Sequence, residues 1–295
     1  MKSKLNKITT FDVVVHLVVL VLVAIVLYPL ILVLSCSISD PIAVAAGEVL
    51  LLPKGFTLDG YIQVFKDKNI VIGYANSLFY TICGTLVNII VTVPAGYVMT
   101  KTKAPGVKGI MMLFLFTMYF SGGLIPTFLL VKALNLYNTR WVLLLMGAFS
   151  AYNCIICRSF FSSIPKELEE AAMVDGLSYV GTFTKIVLPV SKALMGVMFL
   201  YFAVGHWNSY FNAMVYTYDT DIQPLQLVLR RILIMQQTSA EMMSGAGDEF
   251  AAKQQYIAAL IKYAIIVVSS LPLLIIYPFL QKYFDKGVMI GSVKG

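Results

Sequence analysis

Cys154-Ile-Ile-Cys157 has the spacing of a redox pair or of half a zinc site. A structural zinc needs four ligands, so two further His or Cys donors would have to complete the set. The chain has only two histidines, His16 and His206, and neither is near this pair in sequence. Both cysteines also lie at the end of an apolar run, where small polarizable side chains packed between helices are the simpler reading. No G-x-x-x-x-G-K-[ST], G-x-S-x-G or H-E-x-x-H occurs. The sequence therefore predicts no metal, no cofactor and no catalytic residue in this chain. Polar side chains embedded in apolar runs remain: Asn76, Tyr80, Asn88, Tyr119, Tyr152, Asn153, Trp207, Asn208, Tyr210 and Asn212. They can donate and accept hydrogen bonds or offer an aromatic face.

The elements that carry these groups are set by hydropathy. Hydrophobic residues make up 59% of the 295, charged residues only 13%, and the mean hydropathy is +0.83. A soluble domain of this length needs more charge to cover its surface. Blocks without Asp, Glu, Lys or Arg run at about 13–34, 72–99, 109–131, 141–157, 193–217 and 263–280. Each is at or near the ~20 residues a helix needs to cross a bilayer. Backbone groups in lipid must be satisfied within the segment, so helices are expected rather than the shorter, alternating strands of a barrel. The predicted fold is a single all-α transmembrane domain, residues 1–295, with six spans.

Charge gives the expected orientation. With the N-terminus inside, thirteen of the 22 basic and six of the 15 acidic residues fall on the inner side, a net +7. Nine of each lie outside, a net zero. The excess reads as membrane topology rather than nucleic-acid affinity, with both termini cytosolic in a multi-pass protein of a cell membrane. The N-terminal lysines and first apolar block resemble a signal peptide, but the block is about twice an h-region's length, so an uncleaved signal-anchor is expected. Val33-Leu34-Ser35-Cys36 imitates a lipoprotein cleavage box only loosely.

Between the fourth and fifth blocks lies a charged connection, residues 158–192, containing "ELEEAAMVDGLSYVGTFTKIVLP" at 167–189. Pro165 suits a first helical turn. Glu167, Glu169 and Glu170 then crowd the positive end of the helix dipole, each worth about 0.3–1 kcal/mol. Leu168, Ala171, Ala172 and Asp175 recur at helical spacing on one narrow side. Gly176 fits a left-handed C-terminal turn, Ser178 can cap a second helix over Tyr179–Val187, and Pro189 suits the start of the fifth span. A solvated connector could look like this, but long structured connections tend to carry function. A surface helix with an apolar face and no lipid-facing basic cluster points to a protein partner.

Glu170-Ala171-Ala172, Gly176, Ile186, Leu188 and Pro189 together resemble the EAA–G–I–LP signature of bacterial ABC importer permeases. The resemblance implies that this loop is a coupling helix docking into a cytosolic ATPase subunit. Glu167, Glu170, Ala171, Ala172, Asp175, Gly176, Ile186, Leu188 and Pro189 would be the coupling residues, with Glu170 facing a basic group of the ATPase. Gly205–Tyr216, "GHWNSYFNAMVY", is similar to the fifth-span segment of maltose-type carbohydrate permeases, although Ser209 and Ala213-Met214 depart from it. The tail at 286–295 and the outer loop at 218–262 resemble the smaller permease of the branch serving polysaccharide fragments.

That resemblance implies a transport subunit, not an enzyme, of an ATP-driven importer of carbohydrates, chiefly oligosaccharides. Its partners would be a second permease, two cytosolic ATPase subunits and an extracytoplasmic solute-binding protein. ATPase closure would be coupled to alternating access. Asn153, Trp207, Asn208, Tyr210 and Asn212 are the expected substrate path, because sugars need hydrogen-bonding groups and aromatic faces. Such side chains can equally hold helices together, at about 0.6–2 kcal/mol per contact. The competing reading, a secondary transporter of small polar solutes, would ordinarily place an ionisable residue at membrane depth. Only His16 and His206 qualify, and a hydrogen-bonding or packing role is expected for His206.

Overall fold

The structure, a computed structural model, describes residues 9–243 and 261–278, and every regular element described is helical. The helices are α1 (Thr10–Ser37), α2 (Pro41–Ala45), α3 (Asp59–Lys66), α4 (Lys68–Val98), α5 (Val107–Tyr119), α6 (Leu124–Ala133), α7 (Arg140–Leu145) and α8 (Ala151–Phe161). They continue as α9 (Lys166–Val174), α10 (Tyr179–Thr182), a π-helical segment (Phe183–Val187), α11 (Leu188–Val190), α12 (Lys192–Trp207) and α13 (Phe211–Tyr216). A short 3₁₀ turn (Thr220–Ile222) and α14 (Leu225–Met243) follow, and the last described helix is α15 (Ile261–Pro278). Two compact units are present, Met1–Asp67 with Arg231–Ser270 and Lys68–Arg230 with Leu271–Gly295.

In the first unit, α1 opens with a capping box: the Asp12 amide donates to Thr9 Oγ1 and the Thr9 amide donates to an Asp12 carboxylate oxygen. Nearly all its apolar side chains are exposed, as a helix bathed in lipid requires. The turns after it are held by serines: Ser35 Oγ donates to the Leu51 carbonyl at 2.5 Å, and the Lys54 amide donates to Ser39 Oγ at 3.1 Å.

The second unit is organised on α4. This helix packs chiefly against α12 and α8. Close approach is permitted by glycines. A Cβ at Gly84 would overlap the His206 ring, and one at Gly96 would overlap Cys157 Cβ. One at Gly73 would lie 3.1–3.3 Å from Val228 and Leu225. Small residues at helix contacts are the usual device where apolar attraction to lipid competes with attraction to a neighbour. One apolar cluster (Tyr80, Val131, Val142, Leu144, Tyr216) sits around the first half of α4. Another (Val93, Tyr97, Cys157, Phe161, Val187, Met198) surrounds its end. Cys154 and Cys157 are both fully buried, Cys157 in that second cluster.

The expected spans are only partly reproduced as single helices. Among the described residues, three helices, α1, α4 and α15, are long and apolar enough to cross a membrane alone, and up to five crossings result if each of two bent pairs is one span. The 109–131 block divides into α5 and α6, bent by 117° at Phe120–Gly123, where Gly123 takes φ +84°. The 141–157 block divides into α7 and α8 at Met146–Ser150, with Gly147 at φ +87°. The 193–217 block is α12 and α13, interrupted at Asn208–Tyr210. Hydropathy registers none of these breaks, because glycine, serine and asparagine interrupt a helix without adding charge.

Candidate functional site

Two places in the second unit concentrate polar chemistry: the loop at 158–192 and a cavity beside α4.

In the loop, α9 ends as its sequence predicts. Asp175 is the C-cap and Gly176 adopts φ +81°. The Gly176 amide donates to the Met173 carbonyl and the Leu177 amide to the Ala172 carbonyl, both at 3.0 Å. These two bonds close a Schellman turn. Ser178 then caps α10, its Oγ accepting from the Gly181 amide at 3.2 Å. Where a continuous helix over Tyr179–Val187 is expected, only four residues are α-helical before the π turn. Pro189 has no N–H with which to continue the α ladder, and the wider π turn precedes it directly. A bend of 85° separates the Tyr179–Val190 helix from α12, with Ser191 Oγ donating to the Val187 carbonyl at 2.7 Å.

The faces of α9 divide. Glu167, Glu170, Ala171 and Asp175 are exposed, as are the apolar Leu168 and Val174, the latter at 87%. Ala172, predicted to share the face of Ala171, is 4% exposed, and α9 packs on α10 and the π turn. Ile186 and Leu188 are half-buried and Pro189 is exposed. Glu169 turns inward and pairs with Lys101, just beyond α4. The Lys101 ammonium also lies 4.5 Å from the Tyr97 ring centroid. Burial, the largest single influence, would lower the Lys101 pKa, but Glu169 and Tyr97 together outweigh it and the net displacement is upward from 10.5. The contribution of this charge is therefore lost as pH rises through that raised value.

The cavity, of about 290 Å³, is lined by Asn88 of α4, Leu143 of α7, Met146, Gly147 and Ser150 of the α7–α8 break, and Asn153 of α8. Tyr201, Phe202, Gly205, His206, Ser209 and Asn212 line it from the fifth block. Asn88 organises it. Its Nδ2 donates to the carbonyls of Gly147 at 2.5 Å and Ala148 at 3.0 Å, which the broken helix leaves without intrahelical partners. Those bonds fix the amide orientation, so Oδ1 is the acceptor toward His206 Nε2, 2.7 Å away. Nε2 must then carry the proton. Ser150 Oγ accepts from the Asn153 amide at 3.2 Å and caps α8 at the cavity wall.

Of the predicted path residues, the structure brings Asn153 and Asn212 to the same cavity. The other three are elsewhere. Trp207 is 2% exposed and packs edge-on against Tyr74, with ring centroids 5.6 Å apart. Asn208 Nδ2 donates to the Val204 carbonyl at 2.9 Å, ending α12. Tyr210 is 39% exposed and stacks under Arg230, 5.0 Å from its centroid. Ser150, Tyr201 and Ser209 are lining residues that sequence spacing does not reveal. Asn88 and His206 could be flagged as polar groups in apolar blocks, but their partnership, 118 residues apart, could not. The resembling tail at 286–295 lies outside the described residues.

The comparisons with known proteins agree on class. The family described as "Binding-protein-dependent transport system inner membrane component" matches residues 70–290. Protein LplC of Bacillus subtilis (strain 168) is 39% identical over 272 residues, 92% of this chain and 90% of that protein. The polygalacturonan/rhamnogalacturonan transport system permease protein YtcP of the same organism is 38% identical over 285 residues, 97% of this chain and 98% of that one. Among solved structures, a crystal structure of a bacterial ABC transporter involved in the import of the acidic polysaccharide alginate contains a similar chain. That chain matches with a TM-score of 0.84 and 33% identity, over 96% of this chain and 100% of its own.

Proposed function

Since the chain belongs to the family of binding-protein-dependent transport system inner membrane components, we propose that it is one permease of an ATP-driven importer of oligosaccharides. Fragments of acidic polysaccharide are the first substrates to test, because that is what the alginate importer handles and what the polygalacturonan system's name describes. The other components would be a second permease, two cytosolic ATPase subunits and an extracytoplasmic binding protein. The chain supplies half of the translocation path and the surface on which one ATPase pulls.

The observation that carries this reading is the outward row of α9. Glu167, Glu170, Ala171 and Val174 stand exposed on a short helix whose far end is locked by a Schellman turn. Acidic and apolar groups beside one another suit a cleft with a basic residue and a greasy floor. Gly176 and Ser178 hold the angle between this docking half and the Tyr179–Val190 half that leads into α12. ATPase closure would move α9, and α12 would follow, opening the cavity alternately to each side. Asn153 and Asn212 would then be the sugar-facing groups of this subunit, within the hydrogen-bonding wall built around Asn88 and His206.

The decisive measurement is made on the whole importer in proteoliposomes. Glu170→Lys should abolish uptake of the oligosaccharide and weaken copurification of the ATPase, with the permease still in the membrane. Uptake and ATPase retention both at the unmodified level would remove the docking assignment.

A further inference from the structure

The loop at 158–192 is fastened to α4 as well as leading into α12, and the fastening is of an unusual kind. Four contacts converge on the last turn of α4 and the residues just after it. Arg158 Nε donates to the Met99 carbonyl at 3.1 Å. Phe183, first residue of the π turn, stacks on Tyr97 at 4.9 Å with an interplanar angle of 28°. Glu169, in the middle of α9, pairs with Lys101, whose ammonium lies over the same tyrosine ring, 4.5 Å from its centroid. Phe161, at the end of α8, meets Tyr97 edge-on at 5.8 Å.

Among the described residues, Glu169 is the acid of α9 that forms an ion pair; Glu167, Glu170 and Asp175 are exposed. An ion pair of this partial exposure contributes little to stability. The apolar contacts of Tyr97 with Phe161 and Phe183 already hold the loop in place. The pair does supply direction: it ties α9, which packs chiefly on α10 and the π turn, to a helix that carries Asn88 and lines the cavity.

We propose that Lys101, Glu169 and Tyr97 are positioning residues that link α9 to α4, so that displacement of the loop reaches the cavity wall through α4 and not only through α12. This rests on the reading of the chain as an importer permease. Moving α9 alone, with the Lys101–Glu169 tie intact, drags the end of α4. With the tie broken, α9 can shift while α4 stays, and ATP hydrolysis then proceeds without an equivalent movement of the cavity wall.

The test uses the complete importer in proteoliposomes with Lys101→Glu, Glu169→Lys and the two combined. Uptake per ATP hydrolysed, ATPase copurification and thermal stability are measured together. Each single change should lower uptake per ATP by about 2- to 30-fold, the range of coupling energies carried by such networks. ATPase content should be unchanged, and the double exchange should restore most of the ratio. If a charge reversal destabilises the protein, Lys101→Met and Glu169→Gln take its place with the same expectation for the single changes. Singles that match the unmodified importer in uptake per ATP, or a double exchange no better than either single, overturn the proposal. An unmodified permease that retains no ATPase overturns the importer reading and this inference with it.

Discussion

His206 Nε2 lies 2.7 Å from Asn88 Oδ1 while the other end of the same amide holds the carbonyls of Gly147 and Ala148. One buried side chain, 2% exposed, thus joins α4, α12 and the break between α7 and α8. Asn88→Leu should leave the two carbonyls and the imidazole N–H without this partner. The expected loss is about 1–3 kcal/mol for each buried group left unpaired. It is read as a lower unfolding temperature in detergent; an unchanged temperature would mean that water or relaxation replaces all three bonds.

Gly176 has φ +81°, yet a Cβ built there meets nothing within 4 Å. The cost of substitution is therefore conformational and not steric crowding. Gly176→Val should cost about 1–2 kcal/mol for the left-handed backbone, more for its β-branch, and should impair uptake. Gly176→Asn should retain most uptake, because asparagine tolerates that region. Equal loss in the two variants would show that space at position 176, not its backbone angle, is required.

Gly205 lines the cavity, and a Cβ there also meets nothing within 4 Å. Gly205→Phe should intrude on the cavity, leaving membrane insertion intact and cutting uptake severely. Asn153→Leu and Asn212→Leu should change which oligosaccharides are carried, whereas Asn208→Leu, outside the lining, should not. Transport that is indifferent to Gly205→Phe would exclude this cavity from the path.

Local chemistry was readable from the sequence; juxtaposition was not. The Schellman end of α9 follows from Asp175-Gly176 and the α10 cap from Ser178, since each acts over three or four residues. The interruptions at Phe120–Gly123, Met146–Ser150 and Asn208–Tyr210 were hidden because hydropathy averages over a window and none of these residues is charged. Ala172 shows the limit of periodicity: it has the helical spacing to accompany Ala171 outward, but the chain folds α10 and the π turn back over it. Trp207 shows the complementary limit. A tryptophan beside asparagines suggests a sugar platform, and its packing against Tyr74, more than a hundred residues earlier, is not legible in that spacing. Asn88 announced itself only as a polar residue in an apolar block, and its three partners come from distant segments.

The three tight glycines of α4 bear on how this protein could be re-engineered. Gly73, Gly84 and Gly96 each sit against a different neighbour, so a library that varies α4 will mostly recover broken scaffolds rather than altered preferences. The facing wall is more tolerant at Gly205, where an added Cβ meets nothing within 4 Å. Breadth of cargo should therefore be sought on α12, with α4 kept as the fixed reference.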